Sequence, residues 1–149
     1  PGLRAGFVAG DPALIARLLP LRSHGGAVQP LPLMAAATAL WADEKHVEDN
    51  RNPYRQQLED AADIFGTHFG VTKPDGGVFL WLDVSDGESA AQALWRRGGI
   101  KVLPGCYLSR PDESGSNPGK RYIRVALVHD RGTTVNALSR LYDILSEEV

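Results

Sequence analysis

Val78-Phe79-Leu80-Trp81-Leu82-Asp83-Val84 is the stretch on which the fold of this 149-residue chain turns. Val78, Leu80, Leu82 and Val84 alternate with Phe79, Trp81 and Asp83, and successive residues of a strand point to opposite faces, so the run reads as a strand apolar on both faces over most of its length. The next residues, Ser85-Asp86-Gly87-Glu88, have the spacing of a capping box, with the Ser85 hydroxyl set to accept from the Glu88 amide. A helix is expected from there to Arg97, closed by Gly98-Gly99. Ile100 to Leu103 then reads as a short strand, Pro104-Gly105 as a turn, and Asp112 to Gly119 as a polar loop. Tyr122 to Val128 is a second strong strand. A final helix from about Thr134 to Glu147 carries Val135, Leu138, Leu141, Tyr142 and Leu145 on one stripe. Residues beyond 70 therefore predict an α+β unit of about three strands and two or three helices.

Upstream the pattern is mostly helical. Leu3 to Ala9 is a short apolar run closed by Gly10-Asp11-Pro12, which predicts a strand, a turn and a helix with Pro12 near its first position. Pro20 is expected to interrupt that helix, with a loop at Ser23-His24-Gly25-Gly26. Leu33, Ala36, Ala37, Leu40 and Trp41 give a second helix over Leu31 to Val47. Asn50-Arg51-Asn52-Pro53 looks like a break with a fresh cap, after which Tyr54, Leu58, Ala61, Ala62, Phe65 and Phe69 recur at helical spacing. The difference in kind between the halves, and a first residue that is Pro1 rather than Met, lead us to expect a piece of a longer protein.

Composition narrows the function. Sixteen basic against eighteen acidic side chains give a formal charge of −2, without the Lys/Arg excess that nucleic-acid binding requires. No apolar stretch approaches the roughly 20 residues of a membrane span, so a cytoplasmic protein without a membrane partner is expected. The single cysteine, Cys106, excludes an internal disulfide and any zinc site built on two thiolates. His24, His46, His68 and His129 show no metal-ligand spacing, and Gly25-Gly26 and Asp75-Gly76-Gly77 match no phosphate-binding fingerprint.

Two arginines stand out, since a planar guanidinium makes paired hydrogen bonds to carboxylate or phosphate that lysine cannot copy. Arg4 lies inside the first apolar run. Arg124 lies mid-strand on the face of Tyr122, Ala126 and Val128, opposite Ile123, Val125 and Leu127. Periodicity alone leaves two readings of Arg124 open: the solvent side of an edge strand, or a mount for an anionic ligand.

In order along the chain, Pro1-Gly2-Leu3-Arg4-Ala5-Gly6-Phe7, Gln29-Pro30-Leu31-Pro32, Pro74-Asp75-Gly76-Gly77-Val78-Phe79-Leu80-Trp81, Gly99-Ile100-Lys101-Val102-Leu103-Pro104-Gly105 and Tyr122-Ile123-Arg124-Val125-Ala126-Leu127 resemble the carboxy-terminal portion of class I/II aminotransferases, the fold-type I enzymes dependent on pyridoxal phosphate. Trp41 to Glu48, Leu103 to Leu108 and Asn117-Pro118-Gly119 resemble more narrowly the branch containing succinyldiaminopimelate aminotransferase of bacterial lysine biosynthesis. The resemblance implies an α/β fold in which residues 1–48 are the end of the large cofactor-binding domain plus the connecting helix. Residues 49–149 are then the small C-terminal domain, α+β, with a short sheet packed by helices. It implies Arg4 on the phosphate of pyridoxal 5'-phosphate and Arg124 on the carboxylate of the amino acid or 2-oxo acid substrate. It further implies a homodimeric parent, and a Schiff-base lysine upstream of Pro1; none of Lys45, Lys73, Lys101 and Lys120 sits in the corresponding context, so this chain alone is expected to hold no catalytic residue and to be inactive. A lyase or synthase of the same fold type, and the aminotransferase-like effector domain of a transcriptional regulator, are the competing functions.

Overall fold

The computed structural model describes residues 2–26 and 28–147, so that Pro1, at the head of the Gly-Leu-Arg segment, lies outside them. Among the described residues the helices are α1 (Pro12–His24), α2 (Leu31–Trp41), α3 (Lys45–Phe65), α4 (Gly87–Gly98) and α5 (Arg131–Ser146), and the strands are β1 (Phe79–Asp83), β2 (Leu103–Pro104) and β3 (Tyr122–Ala126). The chain divides into two compact units, Pro1–Glu48 and Asp49–Val149.

In the second unit the alternation of β1 and β3 decides the architecture. The sheet has the order β1-β3-β2 and is antiparallel throughout. Leu80 and Leu82 of β1 and Ile123 and Val125 of β3 are buried, and they join Leu58, Ala61 and Phe65 of α3, Leu94 of α4 and Leu138, Leu141 and Leu145 of α5 in one cluster. The helices thus cover one face, as each strand's apolar row requires. The opposite face carries Phe79, Trp81, Tyr122, Arg124 and Ala126.

Two close approaches need glycine. A Cβ on Gly87 would stand 2.2 Å from the Tyr122 carbonyl oxygen, so the first turn of α4 can lie against β3 only without one. Gly105 would meet the Gly119 oxygen at 2.5 Å and the Trp81 ring at 2.8 Å, which fixes the turn after β2 beneath the polar loop.

Several local expectations shift. The cap of α4 is Asp86, which accepts from the Ser89 amide at 2.9 Å; Ser85 sits at φ 67°, outside the conformations of an N-cap. The strand expected over Ile100 to Leu103 shortens to Leu103–Pro104 because the Ile100 N–H bonds back to the Leu94 carbonyl at 3.1 Å as part of the α4 terminus. β3 is the central strand, so the edge-strand reading of Arg124 is wrong. α5 begins at Arg131, three residues early, with Asp130 accepting from the Thr133 amide at 2.9 Å.

In the first unit Asp11 caps α1 by accepting from the Ala13 and Leu14 amides at 2.8 and 3.2 Å, with Pro12 at the first position. Pro20 does not interrupt the helix. Its surroundings are exposed, so the backbone carbonyl that loses a partner there meets water, and α1 runs on to His24, whose ring Nδ1 lies 2.7 Å from the Pro20 oxygen. Leu3 to Ala9 is not a strand: strand hydrogen bonds must come from a neighbouring strand, and none of the described residues supplies one. The helix break falls at residues 42–44, not 50–53. There Asp43 Oδ1 accepts from the Lys45 amide at 3.0 Å and starts α3, which then continues through Pro53 on an exposed side of the helix. Ala37 is the buried residue of this unit among those described.

Candidate active site

Arg124 sits mid-way along the central strand, facing Trp81 on β1 and Leu103 on β2. It is half-buried, yet among the described residues no carboxylate pairs with it. Its guanidinium carbon lies instead 4.4 Å from the centroid of the Phe79 ring. Trp81 stacks on Tyr122 with centroids 5.4 Å apart and planes 20° from parallel. The nearest acid on this face, Asp83, is taken up by Arg121, which donates from Nε to Oδ1 at 2.9 Å and approaches Oδ2 at 2.7 Å. That carboxylate holds the Arg121 guanidinium above its ordinary pKa, chiefly through the hydrogen bond. An unpaired fork on a stiff strand among aromatic rings is suited to receive a carboxylate.

The loop beside the sheet is organised by Asn117. Its Oδ1 accepts from the Gly119 amide at 2.9 Å and from the Ser109 hydroxyl, and its Nδ2 donates to the Cys106 carbonyl at 3.2 Å. These bonds tie the Leu103 to Leu108 segment to Asn117-Pro118-Gly119. Cys106 itself is half-buried. Tyr107 donates to Glu88 Oε1 at 2.7 Å, and the carboxylate beside it raises the phenol's pKa.

In the first unit Arg4 is exposed and takes φ 54°, a left-handed conformation that costs a residue with a Cβ about 1 kcal/mol or more. Gln29 Nε2 donates to the Arg4 carbonyl at 2.9 Å and steadies it. Nothing lies within 4 Å of a Cβ built on Gly2 or Gly6, so the backbone around Arg4 is open to a ligand. The same unit holds an apolar cavity of about 390 Å³ lined among others by Phe7, Met34 and Trp41, with the Phe7 and Trp41 rings edge to face at 5.0 Å.

Alternation within β1 does not single out Phe79 as the residue beside Arg124. Its signal was present, since it shares a strand face with Trp81, but which residue it met across the sheet depended on register. Among the described residues no three His, Cys, Asp or Glu side chains form a metal-binding group, and no helix is long and apolar enough to cross a membrane.

Residues 1–141 match the family described as aminotransferase class I and II. The chain is 37% identical over 145 residues to 4-dedimethylamino-4-oxo-anhydrotetracycline transaminase OxyQ of Streptomyces rimosus, an alignment covering 94% of this chain and 37% of that protein. It is 33% identical over 141 residues to the probable aminotransferase Rv1178 of Mycobacterium tuberculosis, covering 94% and 32%. The crystal structure of an aminotransferase from Neisseria meningitidis superposes with a TM-score of 0.79 at 41% identity, over 97% of this chain and 37% of that one. The chain therefore spans about a third of the length of the curated relatives it matches.

Proposed function

This chain belongs to the aminotransferase class I and II family, and we propose that within the whole protein it supplies the substrate-carboxylate arginine, Arg124, and a cofactor-phosphate arginine, Arg4, of a transamination site. Pyridoxal 5'-phosphate is the cofactor of that family. Bound, it serves as the electron sink through which an amino group passes between an amino acid and a 2-oxo acid. The residues present fit one end of it: Arg4 offers an exposed guanidinium between two glycines with open space around them. A phosphate there would gain a charge-assisted fork.

The observation that carries the reading is the half-buried Arg124 guanidinium, mounted on the central strand without a carboxylate partner among the described residues. Transamination needs the substrate's Cα–H bond held roughly perpendicular to the cofactor plane. A two-pronged arginine–carboxylate pair sets that orientation, whereas a lysine point charge lets the substrate swivel. Ala126, next on the same face, leaves room beside Arg124 for a ligand.

On this reading residues 1–48 are the end of the large cofactor-binding domain with the connecting helix, and residues 49–149 the small domain. The parent is a cytoplasmic homodimer, and the 149-residue chain alone is inactive, as no lysine in it occupies the imine-forming context. The segments Trp41 to Glu48, Leu103 to Leu108 and Asn117-Pro118-Gly119 support a succinyldiaminopimelate and glutamate pair in lysine biosynthesis as the substrates. Arg124→Lys in the full-length enzyme is expected to lower kcat/KM for amino acids tenfold or more, about 1.4 kcal/mol of transition-state stabilisation, with cofactor binding preserved. Unchanged kcat/KM in that variant would overturn the assignment.

A further inference from the structure

The open face of the sheet is built from diagonal pairs. In the β1–β3 register Phe79 stands opposite Ala126, Trp81 opposite Arg124, and Asp83 opposite Tyr122. Ring contacts run one step across, Phe79 with Arg124 and Trp81 with Tyr122, while Asp83 pairs with Arg121 just before the strand. Diagonal neighbours are within reach of aromatic and long side chains, and the methyl of Ala126 leaves Phe79 free to lean toward Arg124.

From this arrangement we infer that Phe79 is a positioning residue for Arg124, a ring platform that orients the guanidinium while leaving its N–H donors free. The inference rests on the reading of Arg124 as the substrate-carboxylate arginine. An arginine on a binding face must be held, or it loses its rotamer entropy at each encounter with ligand. A carboxylate would hold it by occupying the fork that substrate needs. The ring, with its centroid 4.4 Å from the guanidinium carbon, attracts the charge through its π face and supplies no carboxylate to occupy the fork. Asp83, the acid that could have competed, is already neutralised by two contacts to Arg121 at 2.9 and 2.7 Å. Trp81 cannot substitute for Phe79, since its ring is stacked against Tyr122. Phe79 is 43% exposed, so its ring has an open side and is not a core element.

The test is steady-state kinetics of the full-length enzyme carrying Phe79→Leu, Phe79→Met, Phe79→Tyr or Arg124→Lys. Removing the ring should raise KM for the amino acid about threefold to tenfold while kcat stays within about twofold, because the orienting contact is made in the ground and transition states alike. Phe79→Tyr, which keeps the ring face, should restore a wild-type KM. In the Arg124→Lys background Phe79→Leu should have less effect than in the wild type, since a lysine does not use the ring's flat face in the same way. Far-UV circular dichroism and Tm serve as folding controls, with Phe79→Met the measurement of record if Phe79→Leu folds poorly. Wild-type KM in the correctly folded ringless variant, or equal KM increases in the Leu and Tyr variants, overturns the platform while leaving Arg124 in place. Wild-type kinetics for Arg124→Lys itself would overturn the reading beneath it, a different and separately visible failure.

Discussion

Arg124 and Arg4 are held in different ways, and so are the units that carry them. Arg124 projects from a strand whose other face buries Ile123 and Val125 against three helices. Arg4 stands on a stretch without regular hydrogen bonding, in a left-handed conformation, tied by one side-chain hydrogen bond from Gln29. Residues 49–147 enclose a core that includes Phe65, Leu82, Leu94, Ile123 and Leu141 at full burial. Residues 2–48 bury Ala37 and leave Leu14, Leu19, Leu21, Leu31 and Trp41 exposed. A unit with a closed core can hold an arginine by itself. One whose apolar side chains face outward relies on local geometry.

The largest effect that could break this comparison is foldedness of the parts. Residues 49–149 expressed alone should unfold cooperatively in urea, whereas residues 1–48 alone should give the circular dichroism of a coil. Helices of 11 and 13 residues are marginal in water without packing. A cooperative transition in the 1–48 peptide would remove the asymmetry.

Next comes one substitution made in both units. Leu82→Ala, at full burial between the sheet and the helices, should cost about 2–5 kcal/mol, while Leu31→Ala, 79% exposed, should change stability by less than about 0.5 kcal/mol. Denaturant midpoints of the two variants decide it, and similar losses would mean that the exposed leucine packs in solution.

The units also differ in how far the sequence foretold them. Where a strand buries one face, alternation writes the structure into the residue order, and β1, β3 and the Arg124 face were legible for that reason. The cap at Asp86 was not, because Ser85 offers the same motif one residue earlier and only its backbone angle disqualifies it. The break in the helical region was misplaced because Pro53 is a louder signal than Asp43, although proline in an exposed helix face can be tolerated and an aspartate can start a helix. Leu3 to Ala9 read as a strand on composition, yet a strand exists only with a partner. Phe79 beside Arg124 required the register, which alternation within one strand does not contain.

Cofactor retention sharpens the contrast between the two arginines. In the full-length enzyme Arg4→Ala should weaken pyridoxal phosphate binding about tenfold, the scale of one charge-assisted hydrogen-bonded pair, with a smaller effect on the folding of the cofactor-free protein. Gln29→Ala should weaken it less, by loosening the Arg4 backbone. Equal cofactor affinity in wild type and Arg4→Ala would release Arg4 from the site.

The smallest expected effect lies on the rim of the second unit's core. Arg131 donates to Asp60 from Nε to Oδ2 and from Nη2 to Oδ1, both at 2.7 Å, joining the first turn of α5 to α3. The hydrogen bond from Arg131 is the main reason that the Asp60 carboxyl lies below its ordinary pKa. A carboxyl whose folded pKa is depressed adds stability above its unfolded value, near 3.9, and that contribution fades as pH falls through the folded value. The Tm gap between wild type and Asp60→Asn should therefore be constant from neutral pH down to about 5 and begin to shrink below about 4, with the wild type losing its advantage progressively as pH falls through the folded pKa. Because Arg131 is largely exposed, water and salt screen the pair and the gap should amount to no more than a few degrees. Raising the ionic strength should narrow it, and by the same linkage bring the folded Asp60 carboxyl closer to its unfolded pKa. A gap that does not begin to shrink as pH falls below about 4, or is indifferent to salt, would mean that Asp60 stabilises the α3–α5 junction through packing rather than charge.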